Sequence, residues 1–301
     1  MNKNKAILSG RSKALFYILL AAKIIIYLSL MQGLAVMLYM VAASLLPDLS
    51  ASPKLGKGVG ELVVRGCFLA GAVLAALVLQ RAGDHLPFSS LGLSPKGRGR
   101  DLLQGMMYAL LLYAVGFGVL CGLGEIEVVS VRFDAPGLLL SFLVMLLVAL
   151  SEEIAFRGFV LGRLLAAGVN RFAALLLSAA LFSLMHLFNP GFSLIAFLNI
   201  LLAGMLLGST YIYTRNLCFP IALHLFWNWL QGPVLGFGVS GGDFGDTLLT
   251  LHVSGNDLIN GGAFGFEASV VCTALMLCAV AVSLRSASRR YASGRCRRSV
   301  P

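Results

Sequence analysis

Eight apolar stretches follow one another along this chain of 301 residues, with short polar loops between them. They lie at residues 14–46, 62–80, 102–123, 136–151, 172–188, 191–213, 219–235 and 268–284. A helix of about 20 apolar residues crosses the hydrocarbon core of a bilayer, so stretches of this size indicate membrane helices. The pattern predicts an all-α fold, a polytopic transmembrane helical bundle of about eight helices.

The composition excludes the other common classes of protein. Hydrophobic residues make up 58% of the chain and charged residues only 12%, whereas soluble domains have about 45–50% and about 25%. These values exclude an ordinary soluble enzyme, a disordered chain and a small secreted domain held by disulfides. The six cysteines form no CxxC pair, and five lie in or beside apolar stretches, where a thiol usually acts as a small hydrophobic group.

The net charge of +10 is interpreted as a topology signal, because Lys and Arg gather in cytoplasmic loops. If the first apolar stretch crosses once, the N-terminus, the 81–101 loop and the basic residues 285–301 all face the cytoplasm. Splitting that stretch into two helices would put the 81–101 loop and the basic residues 285–301 outside. We therefore predict one long first helix and both termini cytoplasmic, with no nucleic-acid partner for the basic run Lys96–Arg100. The absence of an organelle signal favours a multi-pass protein of a bacterial inner (plasma) membrane.

Ionisable residues inside apolar stretches mark candidate functional sites, because they are costly in the membrane. Lys23 and Arg65 are two such residues. Each lies near the end of a stretch or can extend its charged group to the interface. We therefore predict structural roles for both.

A pair of carboxylates closes the fourth apolar stretch. Glu153 and Arg157 are spaced i, i+4, which is the spacing of an intrahelical ion pair. Glu152 points about 100° away from Glu153 on a helix and is therefore free to face a cavity. The alternative is a charged cluster at the cytoplasmic end of a helix, with no catalytic role.

Two histidines also lie in apolar stretches. His186 has no other charge in its stretch, and His224 shares a helical face with Asn228, four residues later. Taken alone, each is explained equally well by a hydrogen bond between helices. Together with Glu152, they can form a site in which a carboxylate takes a proton from water, an imidazole orients that water, and an imidazole and an amide stabilise an oxyanion. This chemistry is amide hydrolysis without a covalent intermediate.

The order Glu-Glu-x3-Arg, Phe-x3-His, His-x3-Asn resembles the CAAX protease and bacteriocin-processing (CPBP/Abi) family of intramembrane proteases. The small residues Gly204 and Gly208 and the glycine-rich segment Gly261–Glu267 fit the same family, except that Phe266 stands where a proline is more usual. The resemblance predicts three parts: N-terminal helices and loops at 1–136, a protease core at 137–284 and a basic cytoplasmic tail at 285–301.

The resemblance implies a role for each motif residue. Glu152 would be the base that activates water, and His186 would act with it on that water. His224 and Asn228 would form the oxyanion site. The predicted end of the helix at Glu152 places cleavage near the cytoplasmic leaflet, whereas a simple count places His186 near the outer end of the next helix.

The same resemblance makes Glu153 and Arg157 supports for the helix of the catalytic base. No cofactor is expected. The alternative is a zinc ion held by Glu152, His186 and His224, since a catalytic zinc needs three protein ligands and an open position. The sequence contains no HExxH motif.

The expected function is an intramembrane endopeptidase in a lipid bilayer, with a peptide or membrane-protein substrate. The sequence does not indicate an oligomeric state. One alternative is a non-enzymatic immunity or scaffold protein of the same family. The other is a proton-coupled transporter. Gly238–Gly241 spells a GxSG serine-protease motif, but we interpret it as a coincidental turn in an extracytoplasmic loop. The alternating stretch Leu248–Val253 predicts a short hairpin at the membrane surface.

Overall fold

The computed structural model describes residues 10–45, 55–81, 86–243 and 245–292. Its principal helices are α1 (Gly10–Leu45), α2 (Leu55–Leu79), α3 (Gly99–Gly122), α4 (Ala135–Glu153), α5 (Gly162–Ala166), α6 (Arg171–Leu184), α7 (Leu194–Thr214), α8 (Cys218–Trp229), α9 (Asp257–Asn260) and α10 (Val270–Ala292). Each of the eight apolar stretches forms a helix, so the predicted all-α membrane bundle is confirmed.

Six of the helical segments in the described residues are long and apolar enough to cross a membrane. The first apolar stretch is a single helix, as predicted, because Lys13–Leu45 is continuous over 33 residues. Two stretches form shorter helices, namely α6 with 14 residues and α8 with 12. The short helices belong to the part of the chain that carries the two membrane histidines.

The fourth span is longer than the sequence indicates. We expected a helix end at the carboxylate pair, but α4 passes into a π-helix at Ile154–Leu161 and then into α5, so the apolar segment runs from Ala135 to Ala166 over 32 residues. The charges do not end the helix, because Glu153 and Arg157 are buried and pair with each other. The interpretation as a charged cluster at a helix end is therefore wrong.

The loops form a small sheet that the sequence predicts only in part. Strand β2 (Leu249–Val253) lies within the predicted strand segment, but it pairs antiparallel with β1 (Ile126–Val131) and not within a local hairpin. Ile126 lies opposite Val253, and Val131 opposite Leu249. A local hairpin is therefore the wrong prediction, since the partner strand lies more than one hundred residues earlier in the chain.

Small residues bring the helices close together. A Cβ atom added at Gly204 of α7 would lie 2.8 Å from the Ala179 Cβ of α6, and one added at Gly208 would overlap the Leu175 Cδ1. Helices in membranes associate largely through such close packing. The predicted small-xxx-small element is therefore the contact that holds α6 against α7.

One end of the bundle collects arginine-bearing segments. The Arg171 guanidinium at the start of α6 lies 5.2 Å from the ring centre of Tyr213 and 5.6 Å from that of Tyr291, near the ends of α7 and α10. The charge pattern predicted that these segments share a side. Which side of the membrane this end faces stays a prediction, and the chain termini lie outside the described residues.

Candidate active site

Glu152 lies in the middle of a membrane-length helix. It follows Ala135 by 17 residues and precedes Ala166 by 14, or about 21 Å at 1.5 Å per residue. The π-helix begins directly after the carboxylate pair, at Ile154. π-Helical turns are rare and occur frequently at functional sites. The sequence placed cleavage near the cytoplasmic leaflet because it predicted that the helix ends at Glu152. The helix continues to Ala166, so the predicted helix end is wrong.

Glu153 and Arg157 form a buried ion pair, as their spacing predicts. The Arg157 Nη1 donates to the Glu153 Oε1 at 2.7 Å, and its Nη2 donates to the Gly204 carbonyl oxygen of α7 at 3.2 Å. The guanidinium also lies 4.4 Å from the ring centre of Phe182 on α6. Arg157 therefore connects the helix of the carboxylate pair to two neighbouring helices.

His224 joins this network from α8. Its Nδ1 lies 2.8 Å from the Glu153 Oε1, and because a carboxylate paired with Arg157 only accepts, the Nδ1–H is the donor. The Nε2 of His224 then faces the other carboxylate, at 3.7 Å from the Glu152 Oε2. This separation exceeds a direct hydrogen bond and is a distance that a water molecule can bridge.

His186 lies just after the end of α6, at the depth of Glu152. It follows Arg171 by 15 residues, while Glu152 precedes Ala166 by 14, and these two ends are joined by a short turn. The apparent conflict in depth disappears because the fourth helix continues past Glu152. The His186 Nδ1 lies 2.8 Å from the Phe182 carbonyl oxygen, which can only accept, so neutral His186 carries its proton on Nδ1 and leaves Nε2 as an acceptor.

Asn228 lies one turn after His224 on the same face of α8, as predicted. The residue is buried, yet its side-chain amide has no hydrogen-bond partner among the described residues. A second π-helix, Leu230–Val234, begins two residues later. Each π-helix thus begins within two residues of a site residue, although no sequence signal predicted either one.

These side chains meet at one cavity of about 310 Å³. Glu152, His186, His224 and Asn228 all line it, which is the grouping that the motifs predict. Glu153 and Arg157 do not line the cavity and support it from behind. Most of the other wall residues are apolar, including Met145, Val148, Leu206, Leu207 and Leu223. The size and the apolar walls with a few converging polar groups are typical of a ligand site.

The sequence did not predict a second carboxylate at the cavity. Glu267 is buried and accepts three hydrogen bonds: its Oε1 from the Trp227 Nε1 at 3.1 Å, and its Oε2 from the Ser240 backbone N–H at 2.9 Å and hydroxyl at 2.8 Å. The glycine-rich segment that ends at Glu267 was recognised, but nothing local in it indicates these distant partners. Glu267 fixes the loop that covers one side of the cavity.

The GxSG segment is a turn, as interpreted, but it lines the cavity. Ser240 has a left-handed backbone with φ of 48°, and its carbonyl oxygen accepts from the Asn189 side-chain amide at 2.9 Å. Its hydroxyl is bound to Glu267, whereas His252 lies in β2 opposite Glu127. Ser240 therefore lacks the histidine partner that a serine nucleophile needs.

The donor geometry gives no support to the zinc alternative. The described residues contain no group of three or more His, Cys, Asp and Glu side chains that could hold a metal ion. Glu152, His186 and His224 line one cavity without forming such a group, so in this arrangement they do not fit a three-ligand site. The absence of a metal stays a prediction, which elemental analysis of the purified protein can test.

Residues 134–230 match the sequence model of the family described as type II CAAX prenyl endopeptidase Rce1-like. The matched region runs from the start of α4 through the end of α8 and contains all six predicted site residues. No curated protein and no solved structure matches the chain. The family match agrees with the resemblance drawn from the three motifs. This integral membrane protein therefore carries, at residues 134–230, a segment that matches the Rce1-like model of the CPBP family.

Proposed function

We propose that the protein is an intramembrane endopeptidase in which Glu152 activates a water molecule for direct attack on a peptide bond. One observation carries this proposal. The Glu152 carboxylate, the His186 Nε2 and the Asn228 amide all line one cavity, and none has a hydrogen-bond partner among the described residues. Polar groups without hydrogen-bond partners are costly in a membrane interior, so their convergence favours a site that binds water and substrate.

In the proposed reaction, the Glu152 carboxylate accepts a proton from water while the His186 Nε2 accepts the second hydrogen bond of that water and orients it. The water oxygen bonds to the substrate carbonyl carbon, whose oxygen takes the negative charge. Collapse of this tetrahedral intermediate breaks the C–N bond. Glu152 returns the proton to the leaving nitrogen, and the products are a carboxylic acid and an amine.

The oxyanion is stabilised by the Asn228 side-chain N–H and the His224 Nε2–H. Because the His224 Nδ1–H already donates to Glu153, donation from Nε2 requires the doubly protonated imidazolium. Arg157 holds the Glu153 carboxylate in place through the 2.7 Å ion pair. Glu153 and Arg157 are therefore positioning residues, and the cavity-lining residues do the chemistry.

The test compares the membrane-associated peptides of cells that express the wild-type protein, Glu152→Gln or Glu127→Gln, measured by mass spectrometry. Glu127 is an exposed carboxylate in β1 and serves as the matched control. We expect cleavage products that are present with the wild type and Glu127→Gln and absent with Glu152→Gln at equal protein abundance.

Products that are unchanged in Glu152→Gln would overturn the proposal and favour the non-enzymatic alternative, in which the motif residues serve packing. Proton-coupled flux in proteoliposomes, lost in Glu152→Gln without any change in peptides, would favour the transporter.

A further inference from the structure

Arg65 lines the same cavity as the catalytic residues. It lies on α2, in an apolar segment from Gly58 to Leu79, and outside the family match at residues 134–230. The sequence predicted that it extends to the membrane interface for structural reasons. Its place in the cavity wall is not explained by that role.

The packing of α2 on α4 sets the distance of Arg65 from the catalytic base. A Cβ atom added at Gly58 would overlap the Leu140 Cδ2, and further along the two helices Ala72 and Ala75 share a core with Ile154. The helices therefore run in the same direction. Arg65 follows Gly58 by seven residues and therefore lies beside the part of α4 around Val148. Val148 itself precedes Glu152 by about one helical turn.

The guanidinium is only partly paired. The Arg65 Nε donates to the Glu61 Oε2 at 3.2 Å, and the side chains of the two residues are 38% and 44% exposed. The two terminal nitrogens of Arg65 contact no acceptor among the described residues. Arg65 is also the only Lys or Arg among the cavity-lining residues. The fork of an arginine binds carboxylates through two parallel hydrogen bonds.

We propose that Arg65 binds a carboxylate of the peptide substrate and so sets the distance between that carboxylate and the bond that is cut. This inference rests on the proposed function and names the substrate class for the same site: an apolar peptide segment with a carboxylate close to the scissile bond. The carboxylate is either the C-terminus of the substrate or an acidic side chain, and the experiment separates these sources.

The probe is a library of apolar decapeptides. Each peptide is synthesised with a free C-terminal carboxylate or a carboxamide, and with an internal Asp or Asn. Cleavage rates are measured with the full-length protein in vesicles of neutral lipid, for the wild type, Arg65→Gln, Arg65→Lys and Arg132→Gln. Arg132 pairs with Asp246 at an exposed position and controls for the loss of one positive charge outside the cavity.

We expect the wild type and Arg132→Gln to cut one carboxylate series about tenfold faster than its neutral counterpart, the scale of one charge-assisted contact. Arg65→Gln should remove this preference by slowing the carboxylate peptides alone, and Arg65→Lys should retain part of it. Equal wild-type rates for acidic and neutral peptides would overturn the inference, as would an Arg65→Gln variant that slows both series equally. A preference seen only in vesicles with anionic lipid would assign Arg65 to a lipid phosphate and also overturn it.

A binding measurement keeps this inference separate from the proposed function. Peptide affinity is measured with Glu152→Gln, which retains the cavity, and with Glu152→Gln combined with Arg65→Gln. We expect the carboxylate peptides to bind about tenfold more tightly only when Arg65 is present. If the wild type cuts no peptide, the proposed function fails, and this affinity difference still supports or overturns the role of Arg65.

Discussion

The Glu153 Oε1 accepts hydrogen bonds from both the Arg157 Nη1 at 2.7 Å and the His224 Nδ1 at 2.8 Å. One buried oxygen thus joins a positioning arginine to the proposed oxyanion donor. The other oxygen of this carboxylate, Oε2, has no hydrogen-bond partner. The orientation of His224 therefore depends on a single atom of a residue that does not touch the cavity.

Loss of Arg157 is expected to destabilise the protein strongly. Arg157→Met leaves a buried carboxylate without its counter-charge, which typically costs about 3–5 kcal/mol. The double variant Glu153→Gln with Arg157→Met should recover part of this loss, because no uncompensated charge remains. Thermal unfolding in detergent, followed by size-exclusion chromatography, measures both. A single variant as stable as the wild type would contradict the buried ion pair.

Glu153→Gln separates positioning from chemistry. The amide keeps the shape of the side chain but weakens the bond to the His224 Nδ1. We expect a reduced kcat with a KM close to the wild-type value, since the contact acts on the oxyanion donor and not on substrate binding. A rise in KM with unchanged kcat would argue that Glu153 contributes to substrate binding instead.

Asn228→Ala tests the oxyanion site. Removal of one donor to a developing oxyanion lowers kcat by about 10²–10³-fold. Because the amide has no partner among the described residues, its removal should leave the stability nearly unchanged. Asn189→Ala is a useful comparison, since it removes an amide bound to the Ser240 carbonyl oxygen. A folded Asn228→Ala variant with normal kcat would contradict the assigned role.

Metal analysis decides between the two catalytic classes. We expect no stoichiometric zinc in the purified protein, and activity that survives treatment with a chelator, because the donor arrangement does not fit a three-ligand site. Elemental analysis of the wild type and of His224→Ala provides a readout independent of activity. One zinc per chain in the wild type, lost in His224→Ala, would establish the metalloprotease alternative.

Gly204→Ala tests the packing that positions the site. The added Cβ would lie 2.8 Å from the Ala179 Cβ and 2.9 Å from the Ala179 Cα, so α6 must move away from α7. We expect a loss of about 1–3 kcal/mol of stability, as for other overpacked contacts, together with lower activity. Gly118→Ala is the control, because nothing lies within 4 Å of its added Cβ. Equal stability of the two variants would contradict the close contact.

The sequence predicted the parts of the site that depend on local spacing. Glu153 and Arg157, and likewise His224 and Asn228, are four residues apart, and helical geometry alone places such pairs on one face. The lengths of the apolar stretches similarly predicted the helices. The end of α4 was predicted wrongly, because a charge pair looks like a helix end unless its burial by neighbouring helices is known.

The residues that the sequence missed depend on distant contacts. Glu267 reaches Trp227 and Ser240 across the fold, and Arg65 joins the cavity through the packing of α2 on α4. Strand β1 pairs with a strand more than one hundred residues later. No local periodicity encodes such pairings, so these features became visible only when the helices were packed.

The rate of Glu152→Gln tests the central claim most directly. Wild type, Glu152→Gln and Glu127→Gln are reconstituted in vesicles, and the cleavage of one peptide identified from the cellular comparison is followed with time. We predict that Glu152→Gln loses activity by about 10²–10⁴-fold, the scale of general base catalysis, while binding the peptide as tightly as the wild type and while Glu127→Gln stays fully active. A folded Glu152→Gln variant that cleaves at the wild-type rate would contradict Glu152 as the base.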